Sequence, residues 1–132
     1  MVSRTAKLRI ARPTDNLKII TEMYVSGLDF QLLGEFENHE GFSGSIIGHE
    51  NHPFHLEFTH HLGSKVGKAP TQDNLLVFYV PNQVDWINTC SLIKLAGFKS
   101  VTSYNPYWDK VGSTFEDVDG YRVVLSRSEW LI

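Results

Sequence analysis

The feature that most constrains this chain is a pattern that runs once, stops and runs again. Lys7 to Arg12 reads as a short strand closed by Pro13, after which Thr14, Asp15 and Asn16 offer side-chain oxygens for a helix N-cap. Leu17, Ile20, Tyr24 and Leu28 recur at helical spacing, which predicts one apolar stripe along a helix of about three turns. Gly27 is the expected helix end, because glycine tolerates the left-handed conformation found there. Three strand candidates follow: Phe30 to Glu37, Ser43 to Gly48 and Phe54 to Thr59. In the last, His55, Glu57 and Thr59 share one face and Leu56 and Phe58 the other.

From His60 to Asn74 the chain is rich in Gly, Ser, Lys and Pro, and reads as a linker. The pattern then restarts. Leu75 to Val80 is a strand bounded by Pro81, and Val84, Ile87, Ser91 and Leu95 mark one face of a helix ending near Gly97. Trp86, Leu92 and Ile93 lie off that stripe, so this helix is expected to touch more than one surface. Lys99 to Ser103 is a weak strand; Ser113 to Glu116 and Tyr121 to Ser126 form a hairpin, with Asp119-Gly120 supplying positive φ angles at its turn.

The two runs superimpose: Arg9 to Leu75 is a shift of 66 residues, and Glu57 to Val124 a shift of 67. A near-constant shift argues for a duplicated unit. The expected fold is α+β: two βαβββ modules, at about residues 7–59 and 75–126, within one domain spanning residues 1–132. Their curved sheets would surround a cup, with helices on the outer faces.

Composition narrows the partners. A chain of 132 residues can bury roughly two-thirds of its unfolded surface. Its net charge of −3 supplies no broad basic field for a nucleic acid or an anionic membrane. Cys90 is the only cysteine, which excludes an internal disulfide and fits a reducing compartment. Met1 to Ile10 lacks the apolar run of a signal peptide, and no stretch reaches the ~20 apolar residues of a membrane span. A cytoplasmic location is expected.

The second half carries a resemblance. Asn105-Pro106-Tyr107-Trp108-Asp109, then Gly112, then Thr114 to Leu125 is similar to the last strands of glyoxalase and bleomycin-resistance-like proteins of the vicinal oxygen chelate superfamily. That family usually writes the turn Asp-Pro-Asp-Gly, and here Val118 stands in place of the proline. In the first half, Tyr24, Gly27-Leu28 and Phe30 resemble the family's helix end, and His55-Leu56-Glu57-Phe58 its fourth strand. The resemblance runs from about Leu8 to Leu125 and implies a typically dimeric cup-shaped protein, with glyoxalase, dioxygenase, thiol-transfer and drug-binding members.

The superfamily's enzymes hold a divalent metal on the inner cup face, through His and Glu from the first and last strands of each module. Two imidazoles and two carboxylates suit Fe, Mn, Ni or Zn and leave positions open for a chelating substrate. Carried over, those positions fall on Arg9, Glu57, Leu75 and Val124, of which only Glu57 is a possible ligand. Arg9 and Glu57, on neighbouring strands, are expected to form an ion pair where the metal would otherwise sit. An improvised metal site remains the alternative, with His55 and Glu57 two residues apart on one face and a third ligand from His60 or His61.

Alternation puts Leu75, Val77 and Tyr79 on the inner face, and Arg122 with Val124. With Arg9, His55 and Glu57 they would line a small-molecule pocket of apolar walls and a few polar anchors. The expected function is therefore binding of a small molecule without a cofactor. The alternatives are a metal-dependent lyase or dioxygenase using a divalent metal at His55 and Glu57, and a non-catalytic dimerisation module. The expected partners are a small molecule and a second copy, in a homodimer; neither nucleic acid nor membrane is expected.

Overall fold

A computed structural model of the protein describes residues 1–130. The first module comprises β1 (Leu8–Pro13), α1 (Leu17–Leu28), β2 (Gln31–His39), β3 (Phe42–Gly48) and β4 (Phe54–His61). The second comprises β5 (Leu75–Tyr79), α2 (Gln83–Leu95), β6 (Lys99–Val101), α3 (Pro106–Val111), β7 (Gly112–Glu116) and β8 (Arg122–Ser126). Each module builds one mixed four-stranded sheet, in the orders β1-β4-β3-β2 and β5-β8-β7-β6, and neither sheet closes into a barrel. In both, the first strand runs parallel to the last.

The duplication holds at the level of register. Arg9 lies opposite His55 and Ala11 opposite Glu57; in the second module Leu75 lies opposite Arg122 and Val77 opposite Val124. Residues 66 apart on the first strands and 67 apart on the last thus occupy equivalent rungs.

Helix α1 buries Ile20, Met23, Tyr24 and Gly27, with Leu17 and Leu28 packed against the core. It runs on past Gly27 to Leu28, and Asp29, two residues after the expected glycine, takes the left-handed cap at φ 55°. Gly27 serves packing instead, since a Cβ there would lie 3.1 Å from both Ala96 and Phe98 of the second module.

Helix α2 corrects its expected stripe. Its buried residues are Cys90 and Ile93, with Trp86 packed against the same core. Val84, Ile87 and Leu95 face solvent, Leu95 at 84% exposure. Apolar residues surround this helix, so periodicity alone could not choose its inner side. Tertiary contacts choose it: the Trp86 indole donates to the Leu125 carbonyl at 2.8 Å, and α1 packs alongside.

Two smaller expectations also change. Asn105 caps the short helix α3, in a stretch to which the sequence pattern assigned no element. In the β7–β8 turn only Gly120 has positive φ; Asp119 does not.

A single core joins the modules, running from Ile20 and Tyr24 through Phe58 to Ile93, Phe98, Phe115 and Leu125. Polar bonds cross the same junction. Arg12 donates to Asp117 at 2.8 Å and to the Tyr24 hydroxyl at 3.3 Å, its guanidinium 3.9 Å from the centre of the Tyr121 ring. Tyr24 donates to Asp117 at 2.7 Å, and Thr14 to Asp119 at 2.6 Å. The linker is tied down as well: Asp15 accepts from the Val66 and Gly67 amides, and the Ala69 amide donates to the Asp119 carbonyl.

Candidate functional site

Strand alternation gives each sheet a helix-covered face and an opposite face. On the first sheet Leu8, Ile10 and Arg12 share the helix-covered side with Phe54, Leu56 and Phe58, so Arg9, Ala11, His55 and Glu57 lie on the other. There Arg9 Nε donates to His55 Nε2 at 2.8 Å, and Arg9 Nη1 lies 3.5 Å from Glu57 Oε2. The expected ion pair is therefore present, but it is diagonal: the residue directly opposite Arg9 is His55. A guanidinium can only donate, so His55 Nε2 is the acceptor in this bond. Phe36 lies over Gly44 beside this group, where a Cβ would come within 2.6 Å of its ring.

The other histidines do not join this group. His60 Nδ1 lies 3.0 Å from the Thr14 carbonyl oxygen, and alternation puts it on the opposite side of the strand from Glu57. His61 shares the face but sits six residues from His55, about 20 Å along an extended strand, stacked on Phe42 at 4.2 Å. The donor set does not fit a divalent metal. His55 Nε2 is already an acceptor for Arg9, Glu57 faces a cation, and Leu75 and Val124 offer hydrocarbon. Among the described residues, no three His, Cys, Asp or Glu side chains are grouped closely enough to hold a metal.

On the second sheet, Leu75, Val77 and Tyr79 of β5 share a face with Arg122 and Val124 of β8 and Thr114 and Glu116 of β7. Arg122 is 5% exposed; it lies 3.6 Å from Glu116 and donates to the Thr102 carbonyl at 3.2 Å. Its Nε, like the Thr114 hydroxyl, is buried without a partner among the described residues. Val124 is fully buried, Leu75 and Val77 are half-buried, and Tyr79 is 40% exposed, near Trp130.

The eight expected site residues thus fall into two groups: Arg9, His55 and Glu57 on one sheet, and Leu75, Val77, Tyr79, Arg122 and Val124 on the other. Strands β1 and β5 are end strands of separate sheets and do not pair with each other. Thr114 was missed by sequence reasoning, although alternation within Ser113 to Glu116 could have placed it beside Val124.

Burial shifts three groups in the core. It pushes the Asp117 carboxyl up from its ordinary value, against the opposing pull of Tyr24 and Arg12, and it pushes the Tyr24 hydroxyl and the Cys90 thiol up.

Residues 8–59 match the YycE-like N-terminal domain and residues 73–127 the YycE-like C-terminal domain. The uncharacterized protein YycE of Bacillus subtilis is 43% identical over 126 residues, covering 96% of this chain and 91% of that protein. The 2.0 Å crystal structure of a YycE protein of unknown function from Bacillus subtilis superposes with a TM-score of 0.88 at 42% identity, covering 97% of this chain and 93% of that one. The fosfomycin resistance protein FosX of Mesorhizobium loti shares the fold, with a TM-score of 0.72 at 10% identity and coverage of 98% and 94%. The chain belongs to the YycE-like family and has the vicinal oxygen chelate fold of glyoxalases and fosfomycin resistance proteins.

Proposed function

We propose that this protein binds an aromatic or anionic small molecule in a cup made when the Arg9 face of one copy meets the Leu75 face of a second, with no metal as anchor. The observation that carries this reading is Arg9 itself. A cation stands where the resemblance to glyoxalases implies a metal ligand, and it contacts both neighbouring candidate ligands, His55 and Glu57. Leu75 and Val77 supply apolar wall, with Val124 and Arg122 buried behind them, and Arg9, His55, Glu57 and Tyr79 supply polar anchors, the usual make-up of a small-molecule site. The unpartnered Arg122 Nε and Thr114 hydroxyl favour a polar ligand atom beside Val124. The second copy is argued from β1, an open edge strand with Leu8 and Ile10 57% and 40% exposed, since such edges recruit another chain.

Thermal-shift screening against aromatic carboxylates and sulfonates tests the reading. A ligand at a hundredfold excess over its Kd should add about 2.7 kcal/mol of stability, and Arg9→Ala or Tyr79→Ala should lose the shift. No stabilising compound, or a shift that Arg9→Ala leaves intact, counts against the reading. About one equivalent of divalent metal in purified protein, lost in Glu57→Gln, would instead favour a metal-dependent lyase or dioxygenase. Sedimentation equilibrium should report a dimer; a dimer that no compound stabilises would leave the dimerisation module as the reading.

A further inference from the structure

A groove at the junction of α1, the end of α2 and the β7–β8 turn borders the Leu75 face, which it meets through Glu116 and its register partner Lys99. Its volume is about 740 Å³, within the ~300–1,000 Å³ range of small-molecule sites. Ile19 and Met23 of α1, Ala96 at the end of α2 and Val118 of the β7–β8 turn give it apolar surface, and residues 68–72 of the linker form a wall. That wall is held in place. The Val66 and Gly67 amides bond to Asp15, the Ala69 amide to the Asp119 carbonyl, and the Lys68 ammonium to the Val118 carbonyl at 2.5 Å. A segment read as a tether is thus a fixed side of a depression to which both modules contribute.

Two carboxylates and two ammonium groups line the groove, but both carboxylates are engaged by arginines outside the lining. Of its two carboxylates, Asp117 is paired with Arg12 at 2.8 Å and Glu116 lies 3.6 Å from Arg122. Its two ammonium groups belong to Lys68 and Lys99, both exposed, and among the described residues no carboxylate pairs with either. The C-terminus of α2 at Ala96 and Gly97 contributes an opposing partial charge of about half a unit, less than that of either lysine. Lys99 lies opposite Glu116 in the β6–β7 register, outside ion-pair distance, and an apolar floor bordered by two exposed ammonium groups complements an amphipathic anion.

We propose that this groove is a second small-molecule site, beside the cup and distinct from its Arg9 side, for an amphipathic anion. The acyl or aryl body lies on Ile19, Met23, Ala96 and Val118, and the carboxylate or sulfonate faces Lys68 and Lys99.

Calorimetric titration of the full chain with decanoate tests this, alongside decanol and decyltrimethylammonium as neutral and cationic probes of equal chain length. Saturable binding of decanoate is expected, with at least tenfold weaker binding of the other two. The double substitution Lys68→Gln, Lys99→Glu should weaken decanoate at least tenfold, as should Ile19→Glu, which alters the exposed rim and leaves the core intact. Arg9→Ala should bind decanoate like wild type, so a failed cup and a failed groove are told apart. Circular dichroism checks that each variant is folded. Absence of saturable binding, equal binding of the three probes, tolerance of the lysine substitutions, or loss in Arg9→Ala would each overturn the proposal.

Discussion

Arg12 shows what alternation catches and misses. It lies on the helix-covered side of β1, where a charge must be paired to be tolerated. Attention to the metal-ligand positions draws the eye to Arg9, and nothing local in the sequence points to Asp117, 105 residues away. Arg12→Met would leave Asp117, whose side chain has no exposed surface, without its cation. A loss of about 3 kcal/mol is expected in urea unfolding, with less for Tyr24→Phe, which removes one hydroxyl that bonds Asp117. Cys90 was legible, because a lone cysteine mid-helix reads as a packing residue and it is 8% exposed. With burial holding its thiol protonated beyond the ordinary range, it should react with a disulfide reagent only after denaturant opens the core.

Among the elements, α1 was readable and α2 was not. A helix with one apolar stripe declares its inner side, whereas Val84, Trp86, Ile87, Leu92, Ile93 and Leu95 leave the choice to neighbours. Leu95→Lys should therefore change stability by no more than about 0.5 kcal/mol, as surface changes usually do. Gly27 carries the opposite expectation. Helix propensity favours its replacement, yet a Cβ would press within 3.1 Å of Ala96 and Phe98 and within 3.4 Å of the Ile93 backbone. Gly27→Val should cost about 1–3 kcal/mol by overpacking the α1–α2 contact, measured as a lower urea midpoint at unchanged slope. Strand positions were legible where alternation and register agree, whereas β6 stops at Val101, two residues short of the expected Ser103. Helix α3 was not: six residues starting at a proline carry too little periodicity to stand out.

At the scale of the whole molecule, the doubled architecture was visible in one near-constant shift, but the way the halves hold each other was not. It depends on residues distant in sequence, and the linker takes part. Asp15 is held below its ordinary value first by the Val66 and Gly67 amide bonds. Its folded value thus lies below the unfolded one of about 3.8, so its contribution is full above that pH and is lost as pH falls through the lower value. The stability gap between wild type and Asp15→Asn should be largest near about pH 7 and shrink below about pH 3. The shared core and the pinned residues 66–69 have one further consequence. The stretch before them, at exposed Leu62 and Gly63, is the only covalent bridge there, and it carries little of the grip between the halves. Cutting the chain after Gly63 should yield two fragments that remain one particle. Two half-genes expressed together should complement each other, while either half alone would be left without its other wall.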